Sequence, residues 1–588
     1  MLNMTTRTGA VHVARIKSSH VDKAGQRQQY ESVYLRRSYR QDGKVKHEQV
    51  ANLSALPAAA ITAVEAILAG TELVPAGPGT MQITRSLPHG AAAAVWAQAK
   101  ALGFPGLLGP PCRSRDLALA LIMSRVLHPA TKLATLGGWS DTTLGADLGV
   151  SDASTDEVYA AMDWLLSRQD SIEAKLAARH LRTQAGPVRM ALFDLSSSWM
   201  TGRHCPLAAR GYSRDGKKGL PQIEYGLLTD PDGRPVAVRV FPGNTADPTA
   251  FLTAVDLVRT KFRLREMILV GDRGMITAAR IEALKTLPGL GWLTCLRAPA
   301  IAALAADQGP LQMSLFDTHD LAEITHPDYP GERLIACRNP ALATLRTAKR
   351  ESMLTATEAL LATISTRVQA GKLTGADAIG VAVGKVIDKY KMAKHLTYQI
   401  TDTALTHRRN QAAITTEAAL DGVYVIRTSM PADQLDAPAT VTAYKNLAHV
   451  ERDFRNIKAD DLDLRPIHHY LSDRVRAHVL ICMLAQHLTW HLRRTLAPLT
   501  YTDQHPSQRD NPVAPATRSA HANGKAARHT DEDDIPVRSF RGLLDHLTTL
   551  TRNTIAIGDR TFDKITTPTE TQQRAFDLIG APIPLTLT

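Results

Sequence analysis

The chain has 588 residues, a formal net charge of +12 and a pI near 9.4. That length exceeds one hydrophobic core and suggests roughly three to five domains, while the positive surplus points to a polyanion, most simply nucleic acid, without by itself naming a partner. Five scattered cysteines without a CxxC pair argue against a disulfide framework or a structural zinc site, and no apolar run reaches signal-peptide or membrane-spanning length, so a soluble protein in a reducing cytoplasm with no membrane partner is expected.

Residues 1–75 read as a basic, β-rich region. Alternating runs (VHVARIKSS, YESVYLRRSYR, KVKHEQVANL) with Asp42-Gly43 between the last two predict a β-hairpin. Arg15, Lys17, Arg36, Arg37, Arg40, Lys44 and Lys46 decorate it, either as a charged edge that resists aggregation or as a DNA-backbone surface. Residues 110–185 carry helical periodicity with Ser114 as a candidate N-cap and Pro129 as a breaker, a helical region that could bind DNA. Over 186–297 the pattern predicts strands at 188–193, 223–228, 235–241, 267–270 and 292–296. Helices interleave from Asp247-Pro248 and over 278–285, so a mixed sheet covered by helices is expected. Residues 298–420 read as an insertion with two short strands and helices near 342–367 and 377–391. Residues 421–497 resume with a strand, the helix of Glu451 and a buried core helix over 477–490. Residues 498–537, rich in Pro, His, Ser and charge, read as a flexible linker, and 538–588 as a small C-terminal segment of helix and strands.

Three acids stand out. Asp194 and Asp272 each follow an apolar strand (VRMALFD, MILVGD), and Glu451 sits mid-helix in AYKNLAHVERDFRNIK. An acid after a strand is often only a turn residue, but carboxyl ends of neighbouring strands open onto a common crevice. Two bare carboxylates about 4 Å apart cost roughly 4 kcal/mol at an effective dielectric near 20. A hard divalent cation removes that cost, so three convergent acids suit two-metal phosphoryl transfer with two Mg²⁺ or Mn²⁺ ions. Tyr444, Glu451 and Lys458 are spaced by sevens, which on a continuous helix puts them along one stripe.

The Tyr444–Glu451–Lys458 run resembles the YREK signature of insertion-sequence DDE transposases, the cut-and-paste group with an RNase H-like core. RGYSRDGKKGLPQIEYGLLTD, VFPGNTADPTAF, VGDRGM, LDGVYVIRT and LRPIHHY resemble that group's blocks in the same order, over roughly 187–490. The resemblance implies an α/β fold: an RNase H-like mixed sheet with flanking helices, interrupted by the insertion domain, plus the N-terminal hairpin and helical regions. It implies Asp194, Asp272 and Glu451 as catalytic and metal-binding residues, and Tyr444 and Lys458 as DNA contacts. The signature's arginine falls on Leu447, which cannot bind phosphate, so either Lys445, Arg452 or Arg455 substitutes or end-binding differs. Implied partners are terminal inverted repeats and target DNA, with a homodimer on paired ends in the bacterial nucleoid.

Weaker candidates are Asn244 and Thr245 (metal-site orientation or loop shape), Arg273 (phosphate or its neighbouring acid), and Tyr212, Arg214, Lys217 and Lys218 as a backbone-contact loop. His468 and His469 touch DNA or pack. The sequence lacks Walker A and GxSxG motifs, and His468-His469 lacks the spacer of a rolling-circle nickase. Two alternatives to a transposase remain: a nuclease of the same fold that cuts without joining, and a non-catalytic DNA-binding protein.

Overall fold

The computed structural model describes residues 9–21, 27–71, 81–184, 188–202, 204–306, 309–506, 511–558 and 560–587. Two compact units divide the chain. The first combines residues up to Ser86 with Asn553–Ile565. Its strands Ala10–Val21, Arg27–Gln41 and Lys44–Asn52 form an antiparallel meander, one strand more than a hairpin. Asp42 and Gly43 have φ of 53° and 74°, the paired positive values of the tight turn that Asp-Gly favours. Val33, Leu53 and Ile61, the last from the helix Ala58–Leu68, form a small core. A second three-stranded sheet joins Met81–Pro88, Thr551–Ile557 and Arg560–Ile565.

The second unit spans Leu87–Arg552 with the residues from Thr566 onward. Its helical part includes α1 (Arg113–Leu127), α2 (Thr155–Ser167) and α3 (Gln169–His180). The N-cap of α1 is Cys112 rather than Ser114, and Ser154 with Glu157 closes a capping box on α2.

The sheet holds eight strands: β1 (Met190–Trp199), β2 (Gln222–Thr229), β3 (Pro235–Pro242), β4 (Met267–Val270), β5 (Leu290–Cys295), β6 (Leu321–Ile324), β7 (Arg333–Arg338) and β8 (Val423–Thr428). Their spatial order is β6-β7-β8-β5-β4-β1-β2-β3, with β1, β4 and β5 parallel and the remaining neighbours antiparallel. This is a large mixed sheet with flanking helices. Helix α4 (Asp247–Asp256) begins at Asp247, with Ala246 as its N-cap.

Two sequence expectations change. Strands β6 and β7, placed within the insertion, extend the main sheet through β8. What stands apart is the pair α5 (Pro340–Gln369) and α6 (Ala376–Tyr390) with the hairpin Leu396–Ile400/Leu405–Arg409, built round their own apolar cluster of Leu354, Leu361, Ile379 and Val383.

Beyond β8 the chain forms α7 (Ala437–Lys445), α8 (Leu447–Arg455) and α9 (Ser472–Thr495). Helix α9 is buried over most of its length, packing on α1, α2 and β3. No single helix among the described residues is long and apolar enough to cross a membrane.

The second change concerns 498–537, expected to be a flexible linker. Residues 507–510 of it lie outside the described residues. The rest packs: Val513 is fully buried, Ser519 caps α10 (Ala520–Arg528), and buried Lys525 donates to the carbonyls of Ala497 and Thr502 and to the Gln504 side chain. Composition misleads here because a few buried apolar side chains (Val513, Ala522, Ile535 and Val537), joined by hydrogen bonds to backbone carbonyls, suffice to anchor the segment.

Candidate active site

Strands β1 and β4 run parallel, and their last paired residues are Leu192 and Val270. Two residues further along each chain stand Asp194 and Asp272, so the register carries both acids to the same end of neighbouring strands. Asp272 follows the end of β4 as expected. Asp194 does not end its strand: β1 runs on to Trp199, because the ladder to β2 continues through the buried serines Ser196–Ser198. Each carboxylate is steadied by the amide that follows it, Leu195 N–H donating to Asp194 Oδ1 at 2.8 Å and Arg273 N–H to Asp272 Oδ1 at 2.7 Å.

Helix α8 packs on β1. Val450, Phe454 and Ile457 of this segment face inward, Phe454 meeting Tyr225 edge-on at 5.5 Å, and Glu451 lies on the exposed rim. The Asp194 carboxyl is pushed up to about 7. Burial is the main cause, opposed by the Leu195 amide, and the negative charges of Asp272 and Glu451 add to the rise. The three acids therefore share one electrostatic site. Three hard oxygen donors, two of whose charges add to the rise at Asp194, fit Mg²⁺ or Mn²⁺.

The seven-residue stripe does not survive. The helix breaks at Asn446 and winds as a π turn over Asn456–Asp460. Tyr444 turns inward beside Cys295, with Asp272 and Arg273 nearby, and burial raises its hydroxyl's pKa. Lys458 is buried, its Nζ donating to Asp215 at 2.8 Å. Arg465 pairs with the same carboxylate at 2.5 Å, and the Asp215 side chain is fully buried. Asp215 and Arg465 were not singled out from sequence, although both lie within blocks that carry the family resemblance.

Arg214, expected as a DNA contact, is turned into the protein. It pairs with Asp247 at 2.6 Å and Glu224 at 3.2 Å, and its charge reaches Asp194. Burial pushes the Glu224 carboxyl up to about 7. A signal for Glu224 was present: an acid inside QIEYGLLT, an otherwise apolar run. Gly274 lies between acids, since a Cβ there would stand 3.4 Å from Asp247 Oδ2 and 3.7 Å from Asp272 Oδ2.

Among the substitutes for the signature arginine, Lys445 is engaged elsewhere, donating to the carbonyls of Val513 and Ala514 at 2.7 and 3.1 Å. Arg452, Arg455 and Arg273 are exposed. Tyr212, Lys217 and Lys218 are exposed on one loop, Tyr212 by 80%. Asn244 is exposed in a turn closed by Thr245 N–H on the Pro242 carbonyl at 3.0 Å. His468 meets the Thr201 hydroxyl at 2.7 Å.

His180, His487 and His491 also gather, with ligand atoms within 4.8 Å of one another. His180 Nδ1 accepts from Arg234 at 2.5 Å and His487 Nδ1 contacts the Pro235 carbonyl at 2.8 Å, while burial holds His180 near a pKa of about 3. The guanidinium and the carbonyl bond make this a packed neutral cluster.

Asp453, two residues past Glu451, is buried. It accepts from Gln486 at 2.8 Å, its Oδ2 has no partner, and burial pushes its carboxyl up to about 8. A carboxyl raised on folding stabilises below its unfolded value and loses that contribution as pH rises through the folded one. Asp453→Asn keeps the acceptor and removes the titration. The variant is expected to match wild type near pH 4 and to exceed it increasingly up to pH 8 in thermal midpoint; parallel pH profiles would show that Asp453 does not titrate this way.

The family model for the Transposase DDE domain matches residues 196–488, and that for the IS1634 family transposase, N-terminal domain, matches residues 20–74. The first match contains Asp272 and Glu451 and begins just after Asp194. No curated protein matches the chain. With the three acids on one sheet crevice and both family matches in their expected order, the chain belongs to the insertion-sequence DDE transposases.

Proposed function

We propose that this transposase has an RNase H-like catalytic core in which Asp194, Asp272 and Glu451 hold two Mg²⁺ or Mn²⁺ ions. The reading rests on one observation: the parallel register that aligns Asp194 with Asp272 beneath the helix of Glu451. Bound there, the cations would supply Lewis acidity to the attacking and leaving oxygens of an in-line displacement. Hydrolysis of a phosphodiester at the element's end frees a 3′-OH, which then attacks a phosphodiester of target DNA, forming a new phosphodiester and releasing the target strand's 3′-hydroxyl. One phosphodiester replaces another, so no energy cofactor is required.

The chain's own groups set the conditions. The sheet and the following amides fix two carboxylates, α8 supplies the third, and Arg214 balances the flanking acids Glu224 and Asp247. Asp194 must shed its proton to hold a cation, so loading weakens as pH falls through about 7. Exposed Arg273, Arg455, Tyr212, Lys217 and Asn244 suit contacts to the DNA backbone, and Lys458 serves if a phosphate replaces Asp215. Terminal inverted repeats, target DNA and a homodimer on paired ends complete the reading.

The test offers intact and precut element ends, each with a target duplex, to the full chain. Joined products with Mg²⁺, lost on chelation, are expected. Cutting without joining would mark a nuclease, and binding without cutting a non-catalytic DNA-binding protein.

A further inference from the structure

A cavity of about 640 Å³ lies among α1, α2, the start of α9 and the segment leading into it, lined by Arg125, Lys132, Arg465, Arg474, His469 and His478 among others. Its cations are poorly compensated. Lys132 is 6% exposed, and its Nζ meets His478 Nδ1 at 3.2 Å. His478 Nε2 lies 3.4 Å from the Leu464 carbonyl, which makes Nδ1 the nitrogen that accepts from the ammonium. Arg125, also buried, donates to the carbonyls of Leu462 and Ala130. Among the described residues no carboxylate forms an ion pair with Lys132 or Arg125. Arg474 stacks on the Tyr159 ring at 4.1 Å, and its Nε forms a long ion pair, 3.6 Å, with the half-exposed carboxylate of Asp163. Arg465 already serves Asp215, and the cavity's one lining acid, Asp463, is exposed to solvent.

Buried charge without an opposite partner is costly, and proteins tolerate it where a ligand supplies the counter-charge. The strain shows in the protonation equilibria. Lys132 is lowered to about 7, by burial first and by Arg125 next, and His469 is lowered to about 3, by burial and then by Lys132 and Arg474. An anion in the cavity would oppose the repulsion among these cations.

We propose that this cavity binds a phosphate-type oxyanion, held by the Lys132 ammonium and the guanidinium groups of Arg474 and Arg125. The planar forks and the point charge together suit a tetrahedral oxyanion. A DNA phosphodiester is the favoured source, an assignment that rests on the function proposed above. Arg465 links the cavity wall to Asp215 and Lys458, hence to the helix of Glu451, so a strand crossing the acids can deliver a phosphate here. Tyr470 lines the same cavity and is 65% exposed, leaving an aromatic face for a base. The oxyanion site itself stands on the cation surplus alone.

The test uses the full chain with a chelator present, so that no strand is cut. Inorganic phosphate is titrated against chloride at matched ionic strength while the melting midpoint is followed, for wild type, Lys132→Met and Arg474→Gln. Phosphate is expected to raise the wild-type midpoint, with affinity falling about tenfold or more in each variant. Without phosphate, Lys132→Met should melt no lower than wild type, because an uncompensated buried charge is gone; Arg474, about a quarter exposed at 26%, gives an independent reading. A short single-stranded oligonucleotide is the second arm. Weaker oligonucleotide binding by the variants assigns the site to DNA, and variant-sensitive phosphate binding with unchanged oligonucleotide binding assigns it to free phosphate. Equal phosphate and oligonucleotide responses in all three proteins, or none in any, overturn the site. A chain that binds phosphate through Lys132 yet never cleaves DNA would refute the proposed function and leave this site intact.

Discussion

Asp194→Asn is expected to lose strand cleavage by about 10³-fold or more, equivalent to ~4 kcal/mol of transition-state stabilisation, with DNA binding retained. The amide keeps the acceptor for the Leu195 N–H but cannot supply the negative charge that a cation needs. Unfolding does not explain such a loss. The Asp194 carboxyl is raised to about 7 from an ordinary 3.8, so its stabilising contribution is present at low pH and fades as pH rises through about 7. Without a divalent cation, the variant should therefore melt no lower than wild type at pH 8. Adding Mg²⁺ should then raise the wild-type midpoint and leave the variant's unmoved, since only a protein that binds the ion is stabilised by it. Glu451→Gln, on a different element, should reproduce the kinetic loss. Cleavage of a labelled terminal-repeat duplex within tenfold of wild type in either variant would remove these acids from the chemistry.

The order of these elements was legible because apolar runs and turn residues mark them directly. Met267–Val270 ends where its apolar run ends, and Asp42-Gly43 turns as its chemistry requires. What sequence could not supply was pairing. Nothing local says that β1 and β4 are parallel neighbours, yet that register brings Asp194 to Asp272. The strand expected at 188–193 stopped short of Ser196–Ser198, which a ladder to β2 holds in a buried strand. The seven-residue spacing of Tyr444, Glu451 and Lys458 assumed a continuous helix, and the break at Asn446 and the π turn sent Tyr444 and Lys458 inward. Arg214 looked like a surface cation because its partners, Glu224 and Asp247, belong to a strand and a helix that only the fold brings to it.

Asp215→Ala is expected to cost about 3–5 kcal/mol, the range for breaking a buried ion pair by removing one partner. The carboxylate has no solvent exposure and serves two cations, Lys458 at 2.8 Å and Arg465 at 2.5 Å. Its removal leaves both without a counter-charge, and Lys458 is itself buried. Lys458→Met is the informative contrast. It deletes one of the two cations, leaves Arg465 to satisfy Asp215, and replaces the buried stem with an apolar one of similar length, so its cost should fall well below that of Asp215→Ala. Combining the two should cost less than their sum, because the double variant strands one cation rather than two. Denaturant midpoints of the three variants measure this directly. Lys458→Met as damaging as Asp215→Ala, or strict additivity in the double variant, would mean that Asp215 does not organise the turn after Glu451 through its charge. The same contrast separates two roles for Lys458. If it only holds Asp215, its methionine variant keeps DNA affinity and shows the small stability loss alone. If it exchanges Asp215 for a phosphate when DNA binds, affinity falls as well, and the slope of log affinity against log salt shrinks by about one contact.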